Sequence, residues 1–119
     1  NTFYLSLEEI IFIDSLGFEI GSHGVSHTLL SRLDIKKQND EILQSKLFLE
    51  NLLNKKIDSF CYPYGTKNSY DQTTLDLLKE NRFKNAVSVE SRDFLINDFI
   101  NNIYEIPRYD CNEISKFFN

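Results

Sequence analysis

Twice in this chain a helix-period stretch ends in a turn and a phenylalanine that opens a short apolar strand: at Leu16-Gly17-Phe18 and again at Asn81-Arg82-Phe83. Strands that alternate with helices in this way run parallel, because each crossover helix returns the chain to the same end of the sheet. An α/β architecture follows, open or barrel-like. In both forms ligands gather at the C-terminal ends of the strands, so the residues just after each strand become the candidates for function.

Local signals bound the elements. Ser6-Leu7-Glu8-Glu9 has the form of a capping box, in which the serine oxygen takes a backbone N–H and Glu9 reaches back. It predicts a helix to about Leu16, ended by Gly17 in the left-handed conformation. Phe18-Glu19-Ile20 reads as a strand leading into Gly21-Ser22-His23. A longer helix is expected from about Asp34 to Asn54, with Ile35, Ile42, Leu49, Leu52 and Leu53 on one stripe and the lysines mostly elsewhere. Residues 57–62 read as the next strand, stopped by Pro63. Ser69-Tyr70-Asp71-Gln72 is a second capping box, opening a helix to about Glu80. Residues 83–89 and the extended segment 103–106 follow, the latter leading into Pro107-Arg108. No linker or low-complexity stretch divides residues 1–119, which read as one domain or part of one.

Composition narrows the function classes. With 41% apolar and 26% charged residues the chain can bury a core rather than stay disordered. A net charge of −5, with no basic cluster larger than Lys36-Lys37 or Lys55-Lys56, argues against nucleic acid or an anionic membrane as partner. The apolar run Ile10-Ile11-Phe12-Ile13 is far too short to span a bilayer. Cys61 and Cys111 have no metal or redox spacing and read as two separate thiols, although an oxidising compartment would allow them to pair.

The chain's two histidines form a single cluster, Gly21-Ser22-His23-Gly24-Val25-Ser26-His27. A spacing of four puts both imidazoles on one side of a helical turn, where they can grip one metal ion. The zincin metalloprotease pattern is absent, because residue 24 is glycine rather than a glutamate base. By itself the spacing slightly favours surface or capping histidines. Its place after a strand, among small residues, points to a metal. The second cluster is Phe60-Cys61-Tyr62-Pro63-Tyr64-Gly65. Proline fixes the strand exit, glycine permits a sharp turn, and the aromatic rings offer flat faces that suit sugars. Standing alone, it would read as a structural turn, and Arg108 as a surface ion pair.

Taken together, Phe-Glu-Ile-Gly-Ser-His with a second histidine four residues on, a long helix, Phe-Cys-Tyr-Pro-Tyr-Gly, a helix and Ile-Pro-Arg resemble the polysaccharide deacetylase family (NodB-homology domain). The resemblance runs from about Leu5 to Phe118. It implies part of a distorted (β/α) barrel of the NodB-homology and glycoside hydrolase/deacetylase type, without its N-terminal strands. It also implies hydrolysis of N-acetyl or O-acetyl groups on an oligo- or polysaccharide, with release of acetate. His23 and His27 would be ligands to a divalent metal, usually zinc, which the family completes with an aspartate. Tyr62, Pro63, Tyr64 and Gly65 would line the sugar groove, with the Tyr64 N–H holding the oxyanion. Arg108 would sit beside the catalytic base. Family members often work outside the cytoplasm.

This chain departs from that pattern in two respects. The family begins with a strand ending in Asp-Asp, which supplies the base and the third metal ligand, and no Asp-Asp pair occurs here. Nor is there a further histidine to act as general acid. The chain opens on Asn1, so a preceding segment carrying the pair is one expectation, and little turnover by these 119 residues is its corollary. The other is a non-catalytic carbohydrate-binding or interaction module of the same descent. An exposed sheet edge is expected near residues 18–20.

Overall fold

A computed structural model of the chain describes residues 3–118. Helix α1 (Leu7–Ser15) starts at the expected capping box: Glu9 N–H donates to Ser6 Oγ at 3.2 Å and Ser6 N–H to Glu9 Oε2 at 2.7 Å. Gly17 ends it at φ +90°. Helix α2 (Ile35–Leu53) runs between Asp34, whose carboxylate accepts the Lys37 N–H, and Asn54 in the left-handed conformation. Helix α3 (Gln72–Glu80) corrects the expected cap. Asp71, not Ser69, accepts the Thr74 N–H, while Ser69 Oγ donates to the Thr66 carbonyl. Ser69 lies two residues before that cap, too early for the first helical N–H groups, and its hydroxyl serves the preceding turn. A short helix α4 (Ile96–Asn101) and 3-10 turns at Leu30–Arg32 and Cys111–Phe117 complete the helical elements, none of them anticipated from the sequence.

Strands β1 (Ser59–Cys61) and β2 (Asn85–Val87) pair in parallel, with Phe60 opposite Ala86. Single parallel bridges extend this ladder on both sides, Ser22 to Phe60 and Val87 to Ile106. The order across the sheet is therefore Ser22, β1, β2, Ile106. Paired segments are shorter than the apolar runs suggested. In particular residues 18–20 form no strand, and pairing begins only at Ser22, whose N–H and C=O bond Ser59 and Cys61 at 2.9 and 2.8 Å. Ladder formation needs a partner on the correct edge, which an apolar run alone does not specify.

The core lies between the sheet and α2 and α3, around Leu30, Ile42, Ile57, Phe60, Tyr62, Leu78 and Phe83. Phe60 meets Phe83 and Tyr62 edge-on at 5.5 and 5.6 Å, and Tyr62 stacks on Tyr70 at 3.9 Å. Such ring pairs contribute about 0.5–1.5 kcal/mol each beyond burial. The buried face of α2 differs from the apolar stripe. Ile42 is fully buried, but Ile35 is exposed, and Gln38, Ser45 and Lys46 are buried beside it. Lys46 is tolerated there because Nζ donates to the Asn81 carbonyl at 2.7 Å and lies 4.5 Å over the Phe83 ring. Helix α1 buries none of its residues. Both cysteines are free.

Candidate functional site

Because all four tracks of the ladder are parallel, their C-terminal ends lie on one side. His23 follows Ser22, Tyr62 follows β1, and Pro107-Arg108 follows Ile106. The expected site residues thus share one end of the sheet. Arg108 is farthest from the histidines, three strand spacings or roughly 14 Å along the sheet.

His23 is held by the sheet itself. Its Nδ1 lies 2.7 Å from the Cys61 carbonyl oxygen. A carbonyl only accepts, so Nδ1 carries a proton, and the neutral ring then has its lone pair on Nε2. That orientation, one ring nitrogen on a backbone carbonyl and the other open, is how metal-ligating histidines are commonly steadied. The His27 ring packs against His23 at 4.9 Å between centroids and against Tyr64 at 4.8 Å. His27 and Tyr64 both have positive φ, +54° and +67°. For residues with a β-carbon such geometry costs about 1–3 kcal/mol and clusters at functional sites.

Two α2 residues brace the histidine loop. Glu41 Oε2 accepts the N–H groups of Val25 and Ser26 at 2.8 and 2.9 Å, and Oε1 accepts the Ser26 hydroxyl at 2.5 Å. One turn on, Ser45 Oγ and Ser22 Oγ are 2.6 Å apart in a buried contact. Burial pushes the Glu41 pKa up, but the bonds from Ser26 and Val25 outweigh it and hold the carboxyl below its usual value. Neither residue was singled out from the sequence. The available signal was a polar interruption, Gln38, Glu41 and Ser45 at helical spacing, in a face expected to be apolar. Beside the loop, a cleft of about 630 Å³ is lined by Gly21, His23, Val25, Ser45 and Phe48.

The turn after β1 divides its residues between two roles. Tyr62 is 1% exposed and donates its hydroxyl to the Tyr104 carbonyl at 2.6 Å; burial raises its pKa steeply. Pro63 is likewise buried. Both side chains support the turn from the interior. Tyr64 is 56% exposed, and its N–H has no acceptor among the described residues. Gly65, at φ +73°, accepts the Val89 N–H at 2.8 Å. The Arg108 side chain is exposed and forms no ion pair with any described residue, while its N–H donates to the Glu90 carbonyl.

Two adjacent imidazoles, meeting edge-on, fit the nitrogen half of a metal site. Among the described residues no group of three His, Cys, Asp or Glu side chains stands close enough to complete one.

A family model described as polysaccharide deacetylase matches residues 7–86, 80 of the 119. The fold is similar to that of the Streptococcus pyogenes deacetylase PplD in complex with acetate, with a TM-score of 0.77 and 24% identity over 88% of this chain and 44% of that one. It is similar to a polysaccharide deacetylase from Bacillus cereus, with a TM-score of 0.76 and 22% identity over 88% of this chain and 32% of that one. The BpsB deacetylase domain from Bordetella bronchiseptica gives a TM-score of 0.73 and 13% identity over 90% and 49%. These likenesses establish an α/β fold matching part of the distorted deacetylase barrel. The chain spans less than half the length of each of these structures. No curated protein matches it.

Proposed function

The chain belongs to the polysaccharide deacetylase family, and from that premise we propose that its His23–His27 centre serves metal-dependent removal of acetyl groups from a carbohydrate. The observation that carries this reading is His23 Nδ1 pinned on the Cys61 carbonyl with the second imidazole beside it. His23 and His27 would hold a divalent cation, zinc being well suited to imidazole ligands. When bound, the cation supplies Lewis acidity, making water nucleophilic near neutral pH and polarising the acyl carbonyl.

The chain's other residues orient and stabilise. The Tyr64 N–H, which meets no acceptor among the described residues, would donate to the acyl oxygen as it gains negative charge. Removing one donor of this kind costs about 2.7–4 kcal/mol in the barrier. The exposed Tyr64 ring offers a flat face to a sugar, and Gly65 keeps the turn tight beneath it. Tyr62 and Pro63 hold that turn from the interior. Arg108, at the same end of the sheet, would steady a carboxylate base. Acetate and a free amine leave when the substrate is an N-acetylated glycan; the Streptococcus pyogenes relative was solved with acetate.

The chain has no Asp-Asp pair, and no third ligand stands by the histidines among the described residues, so weak zinc binding and little turnover are expected of the 119-residue chain. Calorimetric titration with zinc should give binding that His23→Ala abolishes; equal binding by the variant refutes the ligand assignment. Robust deacetylation of chito-oligosaccharides by the chain alone would overturn the expectation that the base comes from elsewhere. The missing pair also favours a second reading, a carbohydrate-binding module without chemistry, which predicts saccharide binding unaffected by a chelator.

A further inference from the structure

We propose that Glu41 is the positioning residue of the histidine centre, a helix-borne clamp that sets the loop carrying both imidazoles; the part of this concerning metal rests on the reading above. The two histidines belong to a stretch with no regular secondary structure between Ser22 and the turn at Leu30–Arg32. Such a segment orders its backbone N–H groups only if something accepts them. In this loop Glu41 does so. One carboxylate oxygen takes two successive N–H groups, Val25 and Ser26, and the other takes the Ser26 hydroxyl. Hydrogen bonds to an ionised acceptor are roughly twice as strong as neutral ones.

The bonded residues lie between the two histidines, and His23 is already fixed on the other side by the Cys61 carbonyl. Glu41 therefore determines how the chain travels from His23 to His27, and through that the spacing of the two rings. Gly24 shows that the close approach is built in. At φ +79° it brings its backbone so near the carboxylate that an added Cβ would stand 3.2 Å from Glu41 Oε2. Ser45, one turn later on the same face of α2, fixes Ser22 at the loop's start. The histidine loop is thus registered against the helix at both of these points, and Glu41 is the one that reaches between the ligands.

The test compares the 119-residue protein with Glu41→Ala, Glu41→Gln and Asp40→Ala, the last removing an exposed carboxylate from the same turn of α2. Two quantities are read: amide hydrogen exchange at Val25 and Ser26 by NMR, and zinc affinity by calorimetry. Glu41→Ala should speed exchange at both amides by about tenfold or more and weaken zinc binding by about 10–100-fold, as loss of a ligand-orienting group does. Glu41→Gln keeps one carbonyl oxygen for both amides and should recover part of each effect. Asp40→Ala should match the parent. Parent-like exchange at Val25 and Ser26 in Glu41→Ala and Glu41→Gln overturns the proposal, as does an equal loss of zinc affinity in Asp40→Ala. If Glu41→Ala does not fold, Glu41→Gln decides alone: faster exchange confined to Val25 and Ser26 supports the clamp, and parent-like exchange overturns it. If the parent binds no zinc, the metal reading falls, and exchange alone then upholds or overturns the clamp.

Discussion

Tyr64 and Gly65 are consecutive residues with positive φ, +67° and +73°, at the point where β1 gives way to the proposed substrate loop. Only the second is a glycine, and space explains why. A Cβ on Gly65 would overlap Val89 Cγ2 and lie 3.0 Å from the Val89 nitrogen, the group whose N–H the Gly65 carbonyl accepts. The Val89 backbone and its branched Cβ leave little room to yield. Gly65→Ala should therefore destabilise by about 2–4 kcal/mol, combining left-handed strain with overpacking. Gly17→Ala provides the comparison: it too has positive φ, but its Cβ would meet nothing within 4 Å. It should cost only the conformational part, about 1–2 kcal/mol. Urea midpoints for the two variants check this, and equal losses would remove the packing contribution at Gly65. The histidines and the aromatic turn were legible at this scale because each is a local string. Glu41 was not, since its meaning depends on a loop fifteen residues earlier that only the folded chain brings to it.

Helices carry their instructions locally, and sheets do not. The ends of α1 and α2 could be read from Ser6, Glu9, Asp34 and Asn54 because caps act within a turn. The strands came out shorter than their apolar runs because each needs a neighbour supplied from distant sequence. Helix α4 escaped notice for a third reason: one ion pair holds it in place, and its periodicity carries little signal. Asp98, 3% exposed, takes Arg92 in a two-pronged contact at 2.6 and 2.7 Å and accepts the Leu95 N–H at 2.9 Å. The Arg92 hydrogen bonds, helped by that N–H, hold its carboxyl far below the usual carboxylate range. A carboxyl depressed on folding contributes stability that is full above its unfolded pKa of about 3.9 and lost as pH falls toward its folded value. Asp98→Asn should thus lower stability near neutrality, and the gap to the parent should close steadily as pH drops below about 4. Urea midpoints measured across that range test it. A gap that stays constant with pH would mean the pair is not what anchors α4.

The molecule as a whole exposes more surface than its mass accounts for. Its accessible area is 8292 Å², whereas a compact monomer of this mass is expected to show about 6,700 Å². The radius of gyration, 15.0 Å, likewise exceeds the roughly 13.5 Å expected for this length. Large apolar side chains contribute to that surface. Helix α1 exposes Leu7, Ile11 and Phe12, and Phe18, just after it, is exposed as well. The chain matches less than half of each related structure. This explains what the sequence could convey: parallel α/β order was legible from alternation, but closure into a barrel came only through resemblance, because these residues do not close one. An apolar helix with no buried residue and an open parallel edge are both sticky surfaces. The 119-residue chain should therefore bind a hydrophobic dye and associate with itself as concentration rises, measurable by sedimentation velocity across a dilution series. Phe12→Lys, placing a charge at the centre of the α1 face without touching the core, should shift the distribution toward monomer and reduce dye binding. A parent that sediments as a dye-negative monomer at every concentration would show that α1 finds its cover within the chain itself, against the arrangement described above.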